Sequence, residues 1–265
     1  MRLEISLIVA RKEFKEIVLR SKLIMSMVFF LPVVFGVIMP CILAWFSLPM
    51  IFEPMTGFST PPLTDNWFLI PPGGRFYIFF INLYTGFLNL IQPLMIPVYI
   101  AADSFAGEKE RKTLEPVLAA PITDFELLFG KALTSLIPAL TVSFFSIMLS
   151  VIAVNVIGFP VFGFIIYPVA PIILLYIIGI PLMSLLTVFV MVLISSKINR
   201  VREASQVGGV VITPLLILFF TQIFGVIELS MLTVTIYILV LIFAVISLLF
   251  ASLKVFNRHR LIEMI

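Results

Sequence analysis

The chain has 265 residues, of which 62% are hydrophobic and 12% charged, with a formal net charge of +3 and a mean hydropathy of +1.22. So few polar groups cannot cover a water-soluble surface, and several apolar runs exceed the roughly 18 to 20 residues that span a bilayer. A polytopic, all-α membrane protein is implied, nucleic acid is not among its expected partners, and a lone cysteine, Cys41, rules out an internal disulfide.

Residues 1–22 pattern as an amphipathic helix. At about 100° per residue, Leu3, Leu7, Ala10, Phe14, Ile17 and Val18 share an arc of about 100°. Arg2, Glu4, Arg11, Lys12, Glu13, Lys15, Glu16, Arg20 and Lys22 fall outside it. Such a helix lies along the headgroup plane with its apolar face down. No short apolar core with a small-residue cleavage site precedes the first span, so that span is expected to be retained.

Six spans follow, at about 23–46, 76–102, 132–157, 168–194, 207–227 and 229–253. The segment 47–75, with Pro61-Pro62 and Pro71-Pro72-Gly73-Gly74, is too small for a separate domain and reads as a connecting loop. The second span holds Asn82, Thr85, Asn89 and Gln92 at intervals of 3, 4 and 3, which puts them on one strip about 80° wide, with Asp103 continuing it. Asn82, Asn89 and Gln92 are therefore candidates to line a translocation path or a dimer seam. Packing against a neighbouring helix is the other use of such amides.

Residues 103–131 form a polar segment. Within it, Gly107–Pro116 carries six ionised residues in ten. Such a decamer belongs in water. Thr113 to Ala120 can form a short helix with Thr113 as N-cap, and Thr123-Asp-Phe-Glu126 spells a capping box that opens the third span. The segment is thus expected to be ordered.

Orientation follows from the basic residues. With six spans, residues 1–22, 103–131, 195–206 and 254–265 share one side and hold 6, 4, 3 and 3 of the 17 lysines and arginines, leaving Arg75 opposite. The positive-inside rule makes that side, and both termini, cytoplasmic.

Catalytic signatures are lacking. His259 and Cys41 are the sole residues of their types, so no zinc-type cluster is spelled. Gly130-Lys131 has Phe125 where a phosphate-binding loop needs glycine and Ala132 where it needs Ser or Thr. No acidic or basic residue lies deep in a span, which argues against a proton relay or an ion-coupled carrier.

Glu108-Lys-Glu-Arg-Lys-Thr-Leu-Glu115-Pro116, with Leu118-Ala-Ala-Pro121 and Gly130-Lys131, resembles the cytoplasmic loop between the second and third spans of ABC-2 type permeases, the membrane subunits of ABC exporters. The polar turn Arg202-Glu203-Ala204-Ser205-Gln206 before the fifth span is a second point of resemblance. One departure is Lys112, where many members carry glycine. The resemblance implies an ABC-2, type V exporter-like fold and a plasma-membrane homodimer. It implies two copies of a cytoplasmic ATPase subunit that bind ATP and Mg, this chain holding no cofactor of its own. A stiff charged loop joined to two spans passes on a displacement. Glu108, Glu110, Arg111, Thr113, Leu114 and Glu115 are thus expected to form the ATPase-coupling surface, beside the N-terminal helix.

The substrate is not specified, though so apolar an interior suits an amphiphilic or lipid-like compound. Two other classes have sequence requirements of their own. A membrane-embedded lipid- or peptide-processing enzyme needs paired carboxylates or a nucleophile with its base. A secondary carrier needs inverted repeats around a midplane site. Neither pattern is present in the sequence.

Overall fold

The computed structural model describes residues 3–19, 21–52, 62–63, 67–113 and 123–255. Among these the chain is helical, with no strand. Helix α1 covers Leu3–Glu13 and widens into a π-type turn over Phe14–Leu19. Helix α2 runs from Lys22–Val33 through a wide turn at Val34–Ile38 to Met39–Ser47. Then come α3, Pro72–Glu110; α4, Asp124–Phe162; α5, Ala170–Lys197; α6, Val201–Ile223; and α7, Met231–Val255. Six helices among the described residues, α2 to α7, are long and apolar enough to cross a membrane.

Local chemistry sets several boundaries. Ser21 Oγ accepts the Ile24 N–H at 3.4 Å and caps α2. At the start of α4, Thr123 Oγ1 accepts from the Glu126 amide and the Glu126 carboxylate accepts from the Thr123 amide, closing the expected capping box. The wide turns at Val34–Ile38 and Leu175–Gly179 each lie just before a proline, Pro40 and Pro181. A proline ring clashes with the carbonyl four residues earlier, and a widened turn relieves that clash.

The axis of the bundle is α3. Within this chain, 72% of its most apolar window is buried, against 22% for the corresponding windows of α2 and α7. Next to it, α4 packs closely on α2: a Cβ placed on Gly36 would lie 2.7 Å from the Ser146 carbonyl oxygen, so only glycine allows this approach.

The helices run alternately between two ends. At one, Gly73 at the start of α3 meets the backbone of Met50 and Ile51, and Tyr77 stacks on Phe162 at the close of α4. Arg75 lies here too, donating to the carbonyls of Ile70 and Phe68 at 2.8 and 2.9 Å. The other end gathers α1, the close of α3, the start of α4 and the α5–α6 junction.

Several helix limits differ from those read off hydropathy. The second span was expected to stop at 102 and a water-exposed loop to fill 103–131; instead α3 continues to Glu110 and α4 begins at Asp124. Each has 39 residues, hence is about 58 Å long at about 1.5 Å per residue, while the hydrocarbon core is about 30 Å thick. Both helices therefore project beyond the bilayer, where their polar side chains no longer register as span. By the same effect α6 starts at Val201, not 207, and α7 runs on to Val255, not 253, although it begins at Met231 and not 229. The expected helix over 113–120 falls largely outside the described residues.

Candidate functional site

Three consecutive residues at the close of α3 reach three different elements. Glu108 Oε1 lies 2.9 Å from Lys131 Nζ on α4. Lys109 Nζ donates to the carbonyls of Ser195 and Ser196 at 2.8 and 2.9 Å, at the C-terminus of α5. Glu110 Oε2 accepts the Val201 N–H at 2.9 Å, at the N-terminus of α6. A helix exposes carbonyl oxygens and partial negative charge at its C-terminus, and N–H groups with partial positive charge at its N-terminus. Lys109 and Glu110 meet these ends with the matching charges, and so clamp the α5–α6 junction from both sides.

The helix then stops in a defined way. Thr113 N–H donates to Glu108 O at 2.9 Å and Lys112 N–H to Lys109 O at 3.1 Å. Lys112 between them has φ +56°. This is a Schellman closure, whose left-handed position glycine fills without strain. Here a lysine occupies it. Arg111 folds back on its own helix, pairing with Asp103 at 3.2 Å while remaining 54% exposed.

The six residues expected to make the coupling surface are thus placed in three ways. Glu110 and Arg111 face water, and Thr113 sits beside them, also donating its hydroxyl to Glu108 O at 3.4 Å. Glu108, expected in water, turns inward. It stands seven residues after Ala101 and four after Ser104, both fully buried, on the stripe that α3 buries throughout. Leu114 and Glu115 lie outside the described residues.

Glu13 and Lys131 complete this cluster; neither was among the residues expected at the coupling surface, Lys131 having entered only through the pair Gly130-Lys131. Lys131 Nζ is 2.7 Å from Glu13 Oε1 and 2.7 Å from Ser104 O, and 5.3 Å from the Phe105 ring centre. The side chains of Lys131, Glu13 and Glu108 are 1%, 7% and 13% exposed. The apolar arc expected on α1 left Glu13 facing water. The buried face actually comprises Ala10, Glu13 and Ile17, whereas Leu7 and Ile8 are exposed, which rotates it by about 60° from the expected one. The usable signal was spacing: Glu13 sits in register with Ala10 and Ile17, and Lys131 follows the buried Leu127 and Leu128.

Within the spans, Asn82, Thr85, Asn89 and Gln92 do share one face, and each is fully buried inside this chain. Asn82 Nδ2 donates to Ile166 O at 2.8 Å, and its Oδ1 accepts the Val169 N–H at 3.0 Å. Asn155 on α4 holds the other side of that connection, accepting from the Ile166 amide at 2.9 Å. Asn89 Nδ2 donates to Ser150 Oγ and Tyr167 Oη at 3.0 and 3.3 Å. Ser146 Oγ donates to Asn89 Oδ1 at 3.0 Å and accepts from Gln92 Nε2 at 2.7 Å. Tyr167 in turn bonds Tyr176. Apart from the Thr85 hydroxyl and Gln92 Oε1, which are buried without a bond among the described residues, the strip is one hydrogen-bonded network joining α3, α4, α5 and the α4–α5 connection.

The all-helical fold agrees with what comparison finds. The family model described as ABC-2 family transporter protein matches residues 7–237. A search of curated proteins finds no match. The match covers α2 to α6 and the first turns of α7, together with the charged close of α3, so this all-α, multi-pass membrane protein belongs to the ABC-2 family of transporter proteins.

Proposed function

We propose that the chain is the permease subunit of an ABC exporter, working as a homodimer with two copies of a separate ATPase that bind ATP and Mg. The reading places the charged end, with both termini, on the cytoplasmic side of the plasma membrane, because nearly all the basic residues belong there. The single observation that carries the mechanical part is the triple grip of Glu108, Lys109 and Glu110 on α4, α5 and α6. A push on the segment that follows would reach three spans at once. In this account the outward Glu110 and Arg111, with Leu114 and Glu115 beyond, meet the ATPase. Glu108 and Lys109, with the Glu110 oxygen that accepts from Val201, hold the base.

The polar strip is assigned to bracing. Apart from Gln92 Oε1, which is buried without a partner among the described residues, its amides bond within this chain, and none reaches the surface, which suits a rigid pole around which other spans move. The route for substrate is better sought at a cavity of about 680 Å³ beside the charged end, lined by Glu16, Tyr99, Asp103, Arg111 and Arg202 among others. Its charges of both signs below apolar spans favour an amphiphilic cargo.

The test is reconstitution with the ATPase subunit in lipid nanodiscs. The two should co-purify, and the permease should stimulate ATP hydrolysis. Arg111→Glu combined with Glu115→Lys should abolish that stimulation with folded yield unchanged; undiminished stimulation would remove the contact surface assigned here.

A further inference from the structure

The chain buries one lysine between two carboxylates, although two groups would suffice to neutralise a pair. The Lys131 ammonium donates to Glu13 Oε1 and Ser104 O at 2.7 Å and to Ser104 Oγ at 3.3 Å, and lies in ion-pair contact with Glu108 Oε1 at 2.9 Å. The Ser104 hydroxyl donates to Glu13 Oε2, so both oxygens of Glu13 are held. Glu108 Oε2 is buried and finds no donor among the described residues. The two carboxylates are therefore held unequally.

Position adds a second argument. Glu108 is on the helix that leads into the segment after α3, and Lys131 is on the helix that returns from it. Their pair closes that segment at its base. Glu13 brings α1 to the same point across 118 residues of sequence. A buried ionic cluster is weak grounds for stability, since well-packed apolar side chains of similar volume hold helices as firmly or more so. Charges that cost desolvation here call for a role in register or transmission.

We propose that Lys131 is a positioning residue that ties the ATPase-facing segment to α1, with Glu13 as the firm grip and Glu108 as the grip that yields when the segment is displaced. This rests on the coupling reading given above. Movement delivered between Glu108 and Lys131 then shifts α1 along with α3 and α4. An apolar contact would hold the same elements together but would offer no second, partly bonded arrangement through which the segment could move.

The experiment uses the permease–ATPase complex in nanodiscs, with Cys41 replaced by serine and spin labels at Ile8 and Phe29, which are 67% and 68% exposed. It reads the label distance with and without ATP and the stimulation of hydrolysis. Two variants are compared with the parent. Glu13→Ala keeps the Glu108–Lys131 pair and removes the ionic tie to α1, leaving its packing and the Thr134–Ala10 bond; Glu13→Leu/Glu108→Leu/Lys131→Met replaces all the charges. The expected result is intact assembly, a label distance that no longer responds to ATP, and stimulation reduced roughly 2- to 30-fold. If either variant folds and keeps both responses, the cluster is merely structural and the proposal falls. If the parent complex itself shows no stimulation, the coupling reading fails first, and visibly so.

Discussion

The amide of Thr113 donates to the carbonyl of Glu108 at 2.9 Å, and the turn so closed forces Lys112 to φ +56°. A side chain in the left-handed region costs roughly 1–2 kcal/mol, which glycine avoids at some expense in unfolded-chain entropy. Lys112→Gly should therefore stabilise the protein by up to about 1 kcal/mol, and Lys112→Val should destabilise it. Thermal unfolding in detergent checks both signs. The same geometry gives a physical reason for glycine at this position in many ABC-2 permeases.

Lys109 caps two carbonyls at the close of α5. Hydrogen bonds to a charged group contribute about 1.5–3 kcal/mol, and this one is half-buried. Lys109→Met should lower stability by about that amount. Lys109→Arg, which keeps the charge at the helix end, should lower it less. Equal losses in the two variants would mean that the charge at the C-terminus of α5 does not matter.

Glycines at two positions should respond oppositely. A methyl at Gly36 would press on the Ser146 backbone, so Gly36→Ala should cost about 1–3 kcal/mol by forcing α2 from α4. Nothing lies within 4 Å of a Cβ built on Gly209, and Gly209→Ala should be neutral or gain up to about 1 kcal/mol. Paired unfolding curves decide it.

Asn82 binds two backbone groups of the α4–α5 connection. Interhelical hydrogen bonds in membranes average about 0.6 kcal/mol, but Asn82→Leu would orphan a buried carbonyl and a buried amide, at about 1–3 kcal/mol each. Stability should fall by more than the average bond. The ratio of transport to hydrolysis in the surviving folded fraction should be unchanged; a changed ratio would return the strip to the substrate path.

How far the sequence spoke depended on the range of the interaction. The Thr123–Glu126 capping box and the common face of Asn82, Thr85, Asn89 and Gln92 are local patterns, set within a turn or two, and both were legible. The Glu13–Lys131 contact was not, since 118 residues separate the partners and each looks like an ordinary surface charge by itself. Hydropathy also misplaced the close of α3, because a helix that leaves the bilayer and turns polar reads as a loop. Lys112 shows a third limit: a left-handed lysine leaves no mark in composition, only in the bonds that Thr113 and Lys109 make around it.

The account depends most on which side of the membrane holds the charged end. A single cysteine at Lys112, on a background with Cys41 replaced by serine, can be challenged with a membrane-impermeant maleimide in intact cells and in inverted vesicles. Labelling confined to inverted vesicles is the predicted result. Labelling in intact cells would put the segment beyond the reach of any cytoplasmic ATPase and contradict the proposed coupling.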